Sequence, residues 1–182
     1  MRVISGLKKG YKLKAPKGKD TRPTEDRIKE SLFNILRDID EESIVLDLFA
    51  GSGSIGIEFL SRGAKKAYFI DKSYLSIKTI KDNLEHTGLK EKAEIIKNDS
   101  IKSIRLFGSQ EIMFDYIFID PPYGEGLIME VLEKISSEEI LKRDGIIIVE
   151  HEKELVLGDR IYDFKRLDYR NYGSKSLTIY SK

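Results

Sequence analysis

Short apolar runs alternate with longer amphipathic segments between Ser43 and Glu150. The apolar runs predict strands, and the segments between them predict helices. A repeated β–α order at this spacing predicts a parallel sheet with helices on both faces. The predicted strands are Ile44–Phe49, Ala67–Asp71, Ala93–Asn98, Tyr116–Asp120 and Gly145–Glu150, and the predicted helices lie near Ile55–Ser61, Tyr74–His86, Ser100–Leu106 and Leu127–Leu141.

The alternation ends after Glu150, where two further strands are predicted at Ile161–Leu167 and Ser176–Tyr180. Only residues 168–175 join them, which is too short for a crossover helix, so we expect the two strands to pair antiparallel. The predicted fold class is therefore α/β, with a doubly wound, mostly parallel sheet and an antiparallel last strand.

The beginning of the chain follows a different pattern. Arg2–Ser5 and Tyr11–Lys14 are predicted to be the strands of a short hairpin. A helix then follows, with Thr24 as its N-cap. We expect one apolar face of this helix to dock on the rest of the protein, and Arg27 and Lys29 to lie off that face. The apolar face consists of Ile28, Leu32, Ile35 and Leu36.

A chain of 182 residues, 40% hydrophobic and 35% charged, has the size and composition of a soluble globular protein with one main core. We expect a small hairpin and helix extension over residues 1–38 and a main domain over residues 39–182. No stretch reaches the roughly 18 apolar residues of a membrane span. The first residues lack the apolar run of a signal peptide, so a cytoplasmic protein without a membrane partner is expected.

The chain has no cysteine, and its two histidines, His86 and His151, are far apart in sequence. Disulfides and thiolate metal sites are therefore excluded, and the histidines do not suggest a zinc centre. We expect both histidines to lie at the surface, and we expect a monomer without a structural metal.

The net charge of +1 hides an uneven distribution. Residues 1–30 hold ten Lys or Arg against four Asp or Glu, whereas residues 31–182 hold 22 against 27. A basic segment on a mildly acidic body suggests a polyanionic partner such as a nucleic acid. A lysine-rich hairpin that is merely solvated remains the alternative at this point.

A glycine-rich loop follows the first predicted strand. The sequence from Asp47 contains Gly51-x-Gly53-x-x-Gly56, the spacing of the dinucleotide-binding fingerprint. Asp71 ends the second predicted strand twenty residues after Gly51, where an acid can accept hydrogen bonds from a ribose diol. This pattern supports any ligand with an adenosine ribose, although a plain tight turn has similar glycines.

Two further acids favour one ligand over nicotinamide dinucleotides. Asp47 lies near the end of the first strand, before the glycines, where a carboxylate suits an ammonium group better than a pyrophosphate. Asp99 ends the third strand and can accept a hydrogen bond from an adenine amine. S-Adenosylmethionine carries an ammonium, a ribose and an adenine but no phosphate. Helix capping remains an alternative role for Asp71 and for Asp99.

The sequence Asp120-Pro121-Pro122-Tyr123 ends the fourth predicted strand. Proline fixes φ and disfavours the α region for the residue before it, so a stiff, extended corner is expected. Open α/β sheets bind ligands at the carboxyl ends of their strands, which places Asp120 and the Tyr123 ring at such a site. The alternative is a simple turn with a solvated Asp120.

These two motifs together resemble the class I methyltransferases that act on exocyclic amines of nucleobases. The runs Gly6–Leu13 and Thr21–Leu36 narrow the resemblance to the bacterial small-subunit rRNA guanine-N2 methyltransferases, the RsmD family. The resemblance extends along the chain to Tyr172-Gly173. The N-terminal loop departs from the family in having lysines where arginines are expected, which leaves the individual RNA contacts open.

The resemblance implies a Rossmann-like fold, S-adenosylmethionine as cofactor and methylation of a guanine N2 amine in 16S rRNA. The implied partner is 16S rRNA or a partly assembled small ribosomal subunit. The implied catalytic residues are Asp120, Pro121, Pro122 and Tyr123. The implied cofactor-binding residues are Asp47, Ala50, Gly51, Gly53, Asp71, Lys72, Asp99 and Ser100. The implied RNA-binding residues are Lys8, Lys9, Lys12, Arg22 and Arg27.

The guanine amine is a poor nucleophile because its lone pair is delocalised into the ring. Hydrogen bonds accepted by Asp120 and by the Pro121 carbonyl are expected to direct that lone pair to the methyl group, with Tyr123 stacked on the base. Three other interpretations remain open from the sequence: a DNA adenine-N6 methyltransferase, a nicotinamide-dependent oxidoreductase, and a non-catalytic RNA-binding assembly factor.

Overall fold

The computed structural model of the protein describes residues 1–16, 23–122 and 125–182. The strands are β1 (Ile44–Asp47), β2 (Lys66–Asp71), β3 (Ala93–Lys97), β4 (Phe114–Ile119), β5 (Leu141–Glu152), β6 (Arg160–Ile161), β7 (Phe164–Tyr172) and β8 (Lys175–Ser181). The α-helices are α1 (Pro23–Leu36), α2 (Ser54–Ser61), α3 (Tyr74–Thr87), α4 (Ser100–Ser109) and α5 (Glu125–Ser137), and short 3-10 turns occupy Gly6–Lys8 and Lys90–Lys92.

The strands form one sheet in the order β3-β2-β1-β4-β5-β8-β7-β6. Strands β1 to β5 pair in parallel, and β8 pairs antiparallel with both β5 and β7. The predicted fold class is confirmed, including the antiparallel last strand. The strand order reverses between β1 and β4, so their carboxyl ends lie side by side where doubly wound sheets bind ligands.

Each face of the sheet is covered by its own apolar core. Helices α1, α2 and α3 pack with alternate strand residues such as Val45 and Phe118 on one face. Helices α4 and α5 pack with the intervening residues, such as Leu46 and Ile117, on the other. Strands that are buried on both faces explain the nearly continuous apolar runs in the sequence. Within the described ranges, no helix combines the length and the apolar composition that crossing a membrane demands.

The helix predicted at Leu127–Leu141 is shorter than expected. Helix α5 ends at Ser137, and Leu141 already pairs with Phe114 as the first residue of β5. The backbone of Glu139 has a φ of 51°, a left-handed conformation that ends the helical path. Apolar Ile140 and Leu141 prolong the helical pattern in the sequence, but both are buried at the start of the strand.

The predicted N-terminal hairpin forms only in part, because its two segments pair antiparallel at one bridge and do not form full strands. A single bridge joins Arg2 to Lys12, with a backbone hydrogen bond of 2.9 Å from the Val3 N–H to the Tyr11 carbonyl. The next two N–H groups, of Ile4 and Ser5, donate instead to the carboxylate of a residue in α2, at 2.8 and 2.9 Å. The segment therefore binds the helix instead of extending a hairpin.

Helix α1 differs from its prediction in its first residue and in the burial of Lys29. It begins at Pro23, so Thr24 lies inside the helix and is not its N-cap. Arg27 is exposed as expected, but Lys29 is buried. The Lys29 ammonium donates to the Arg2 carbonyl at 2.6 Å, an acceptor that the sequence pattern of the helix does not reveal.

Glu58 of α2 is the carboxylate that holds these parts together. It is fully buried and lies 3.6 Å from the Lys29 ammonium. It also accepts the N–H groups of Ile4 and Ser5 and pairs with the Arg62 guanidinium at 3.0 Å. A buried carboxylate with several donors fixes the N-terminal segment and α1 onto α2.

We predict that Glu58→Gln lowers the free energy of unfolding by about 3 kcal/mol, because it leaves a buried lysine without its carboxylate. The matched control is Glu42→Gln, which removes an exposed partner of Lys65 and is expected to cost less than about 1 kcal/mol. Urea unfolding of both variants measures the difference, and equal losses would contradict the role assigned to Glu58.

Candidate functional site

A cleft of about 1170 Å³ lies at the carboxyl ends of the parallel strands. Loops after β1 to β4 form one side of it, and Met1, Ala15 and Pro16 of the N-terminal segment contribute to another. The predicted site residues that line the cleft are Asp47, Ala50, Gly51, Asp71, Lys72, Asp99, Ser100, Asp120, Pro121 and Pro122. The structure thus gathers residues spread over more than seventy positions, whereas Tyr123 lies outside the described residues.

The glycine-rich loop turns sharply between β1 and α2. Gly51 and Gly53 have φ values of 54° and 77°, which only glycine adopts readily. Gly53 is the N-cap of α2 and shapes the turn without lining the cleft. A Cβ on Gly56 would lie 2.3 Å from the ring of Phe69, so this glycine allows α2 to pack closely on β2.

Asp47 places a buried carboxylate at the bottom of the cleft. Its side chain is 2% exposed, and one oxygen accepts the Gly56 N–H at 3.2 Å. Burial raises the pKa of Asp47 to about 7; the hydrogen bond from Gly56 lowers it, and the nearby Asp71 carboxylate raises it further. A cation in the cleft would favour the ionised form of this group.

Asp71 connects the end of β2 to the glycine-rich loop. One of its oxygens accepts the Gly51 N–H at 2.9 Å, and the other accepts the Ser73 N–H at 2.8 Å. Ser73 is the N-cap of α3, so the capping role considered for Asp71 is wrong. A carboxylate with one donor on each oxygen retains further acceptor capacity for a ligand hydroxyl.

Asp99 does cap a helix, as the alternative interpretation held. It is the N-cap of α4 and accepts the Lys102 N–H at 3.2 Å. It is exposed at the edge of the cleft, beside buried Ser100. Lys72 is exposed at the same edge.

The corner after β4 places Asp120 near a lysine. Asp120 is half-buried, and its Oδ1 lies 4.0 Å from the ammonium of Lys175. The same ammonium forms a close ion pair with Glu150 of β5. Sequence reasoning missed Glu150 and Lys175. Glu150 carried a signal, because it ends a predicted strand as the other site acids do, whereas Lys175 reaches the site only through antiparallel pairing.

The two histidines have different positions. His86 is exposed as expected, with its ring 5.4 Å from that of Tyr11. His151 was expected at the surface but is buried. Its ring nitrogens contact the Glu152 carbonyl and the Thr178 hydroxyl, each at 2.8 Å. Burial lowers the pKa of His151, while the contact with Glu152 raises it, so this ring joins β5 to β8 and is best placed for a structural role.

The predicted RNA-binding residues that the structure describes lie outside the cleft. Lys9, Lys12 and Arg27 are exposed, and Lys8 is partly buried with its ammonium 6.0 Å from the Tyr11 ring. Arg22 lies outside the described residues. Among the residues that the structure describes, no group of three or more His, Cys, Asp or Glu side chains is arranged to hold a metal ion.

Comparison with known proteins gives consistent matches along the whole chain. The family model described as "Conserved hypothetical protein 95" matches residues 1–181. The chain is 41% identical over 182 residues to YlbH of Bacillus subtilis, covering 100% of this chain and 99% of that protein. It is 38% identical over 155 residues to "Ribosomal RNA small subunit methyltransferase D" of Haemophilus influenzae, covering 85% of this chain and 80% of that protein.

A solved structure shows that the similarity extends to three dimensions. A hypothetical protein from Thermus thermophilus superposes with a TM-score of 0.85 at 27% sequence identity. The match covers 100% of this chain and 99% of that one, so the cleft described above belongs to a fold shared over its full length.

The pKa of Asp47 generates a prediction about stability. Because its folded-state pKa lies above its unfolded value, the stability it contributes is complete in acid and is lost as pH rises through about 7. Relative to the wild type, Asp47→Asn should therefore gain about 2–3 kcal/mol of unfolding free energy between about pH 5 and about pH 8.

Urea unfolding at both pH values measures this gain. Glu42→Gln, which alters an exposed carboxylate, serves as the control and should shift little between them. A pH-independent difference between Asp47→Asn and the wild type would show that Asp47 does not titrate in this range.

Proposed function

We propose that this chain, which belongs to the family described as conserved hypothetical protein 95, methylates the N2 amine of a guanine in small-subunit rRNA. The proposed methyl donor is S-adenosylmethionine. The relative named ribosomal RNA small subunit methyltransferase D supports the reaction class and the RNA. The observation that carries the proposal is the convergence of Asp120, Pro121 and Pro122 with Asp47 and Gly51 on one cleft.

The residues of the cleft fit this cofactor. The buried Asp47 carboxylate lines the cleft and suits the ammonium of the methionine part, because a cation beside it would favour its ionised form. Asp71, which lines the cleft, is proposed to accept from the ribose diol, and exposed Asp99 from the adenine amine. A Cβ on Gly51 would meet only the Phe49 carbonyl, at 3.9 Å, so the loop leaves room for close approach of a ligand.

Four other residues complete the proposed cofactor site. Ala50 and Gly53 shape the loop, since the Gly53 N–H donates to the Ala50 carbonyl at 2.6 Å. Lys72 borders the cleft beside Asp71, and Ser100 borders it beside Asp99. When bound, S-adenosylmethionine supplies an electrophilic methyl group on a sulfonium.

Asp120 and the Pro121 carbonyl hold the two N–H groups of the guanine amine. The lone pair of the amine is thereby directed away from conjugation with the ring and into the cleft. Positive charge develops on the amine nitrogen during transfer, and a carboxylate fixed beside it stabilises that state more than the ground state. Pro121 and Pro122 limit the motion of both acceptors, which lowers the entropic cost of aiming them. Tyr123 is proposed to stack on the base.

The N-terminal extension, residues 1–38, is proposed to bind the rRNA, and residues 39–182 to carry the transfer chemistry. Lys8, Lys9, Lys12, Arg22 and Arg27 are the proposed phosphate contacts. The same segment lines the cleft through Met1 and Pro16, so RNA held on its outer side lies next to the reaction site. The proposed partner is 16S rRNA or a partly assembled small subunit in the cytoplasm, bound by a monomer.

The direct test is incubation with methyl-labelled S-adenosylmethionine and small-subunit rRNA from cells that lack this protein, followed by nucleoside analysis. N2-Methylguanosine is the expected product. A parallel incubation with DNA that yields N6-methyl-2′-deoxyadenosine would identify the alternative enzyme, and RNA binding without any methylated nucleoside would identify an assembly factor.

We predict that Asp120→Ala lowers turnover about 10²- to 10³-fold, because it removes an acceptor that acts mainly in the transition state. Cofactor affinity, measured by calorimetry, should change little. Asp144→Ala, which alters an exposed aspartate of β5, should retain full activity. Near-normal turnover of Asp120→Ala would refute the catalytic assignment.

The role of the basic extension predicts a salt dependence. The affinity for rRNA should fall steeply with salt, and replacing exposed Lys9 and Lys12 by Gln should make the slope of log affinity against log salt shallower by roughly 1–2. Arg105→Gln with Arg143→Gln removes two exposed cations elsewhere and should leave the slope unchanged. Filter binding over a salt series measures both slopes, and equal slopes would place the RNA on another surface.

A further inference from the structure

We propose that Glu150 selects guanine by accepting the hydrogen bond of its ring N1–H beside the amine that Asp120 holds. This inference rests on the proposed function and assigns a specificity-determining residue to the same cleft. It follows from the sheet register, from the lysine shared by the two carboxylates, and from the chemistry of the bases.

The sheet register places the two carboxylates next to each other. Ile119 of β4 pairs with Val149 of β5, and Asp120 and Glu150 each follow one residue later. Phe118 and Ile148, two residues before each acid, both pack in the core on the α1 to α3 face. Since strand side chains alternate, both acids point to that face, and both line the cleft.

Lys175 shows that one donor group can face both carboxylates. Its ammonium forms a close ion pair with Glu150 and lies 4.0 Å from Asp120 Oδ1. Lys175 begins β8, and its side chain is 39% exposed, so it can turn toward solvent when another donor enters. We infer that the ammonium occupies the place that the donor edge of the base takes.

Only guanine offers two adjacent donors at this position. Its exocyclic amine neighbours a ring nitrogen that carries a proton, whereas the amines of adenine and cytosine neighbour ring nitrogens with a lone pair. An ionised carboxylate accepts hydrogen bonds and cannot donate them. Glu150 would therefore bond the N1–H of guanine and repel the lone pair of the other two bases.

The burial of Glu150 increases this discrimination. Its side chain is 9% exposed, compared with 41% for Asp120. Water cannot readily replace a lost partner in such a position, so a mismatched base that displaces Lys175 leaves a poorly solvated carboxylate unpaired. Sites built to hydrogen-bond one substrate group reject analogues that lack it for this reason.

The test uses 2-aminopurine, which has the amine of guanine at position 2 but a lone pair on N1. The target guanosine is first located in rRNA methylated by the wild-type protein. RNA with guanosine or 2-aminopurine at that position is then assembled by ligation, and the kcat/KM for methyl transfer is measured for each. The wild type should prefer guanosine by about 10- to 100-fold.

Glu150→Gln should lose most of this preference, because its amide can donate to N1 of 2-aminopurine and is a weaker acceptor for guanine. Glu150→Asp keeps the charge but moves the carboxylate away from the base, because the side chain is one methylene shorter. This variant should lose activity on guanosine without gaining activity on 2-aminopurine. Glu94→Gln alters a strand carboxylate that is also paired with a lysine, on β3, and should keep the wild-type preference.

The outcomes separate this inference from the proposed function. Equal use of both RNAs by the wild type, or an unchanged preference in Glu150→Gln, would overturn the role of Glu150 while leaving guanine methylation intact. A wild type that transfers no methyl group to rRNA would instead reject the proposed function itself. A uniform activity loss in Glu150→Gln, at constant preference, would mean that Glu150 is only structural.

Discussion

The concentration of carboxylates at one edge of the parallel sheet is the constraint on which the site depends. Strands β1, β2, β4 and β5 all end at this edge, and each places an acid there. Burying a carboxylate disfavours its charged form, as the raised pKa of Asp47 shows, and the neighbouring Asp71 carboxylate raises that pKa further. Backbone N–H groups offset part of this cost at Asp47 and Asp71, and the Lys175 ammonium does so at Asp120 and Glu150.

Another buried carboxylate, outside the cleft, connects the N-terminal segment to this edge. Glu58 accepts the backbone N–H groups of Ile4 and Ser5 and lies beside Lys29, so the segment and α1 are fixed to α2. Helix α2 begins directly after the glycine-rich loop. The side chain of Asn83 in α3 adds another link, since it donates to the carbonyls of Lys14 and Ser52. The N-terminal segment is thus hydrogen-bonded to α2 and, through Asn83, linked to the glycine-rich loop of the cleft.

The parts of the fold that the sequence predicted are those governed by local pattern and chain length. The β–α alternation predicted the parallel sheet, and the short connection before Ser176 predicted antiparallel pairing. The predictions were wrong where a residue's role depended on a distant partner. Lys29 looked like a surface residue of an amphipathic helix, but the Arg2 carbonyl and Glu58 hold it inside. His151 is buried because the Thr178 hydroxyl of a later strand completes its hydrogen bonding.

The sequence by itself determined which residues are candidates for the chemistry, because glycine spacing, prolines after an acid, and acids at strand ends are local features with local physical causes. It therefore predicted that Asp47, Gly51, Asp71 and Asp120 belong together. Only the tertiary structure decided what surrounds them. Lys175 comes to lie between Asp120 and Glu150 through the antiparallel pairing of β8 with β5, a contact across 25 to 55 residues of chain. No local pattern specifies such a contact, because it depends on strand order and register in the completed sheet.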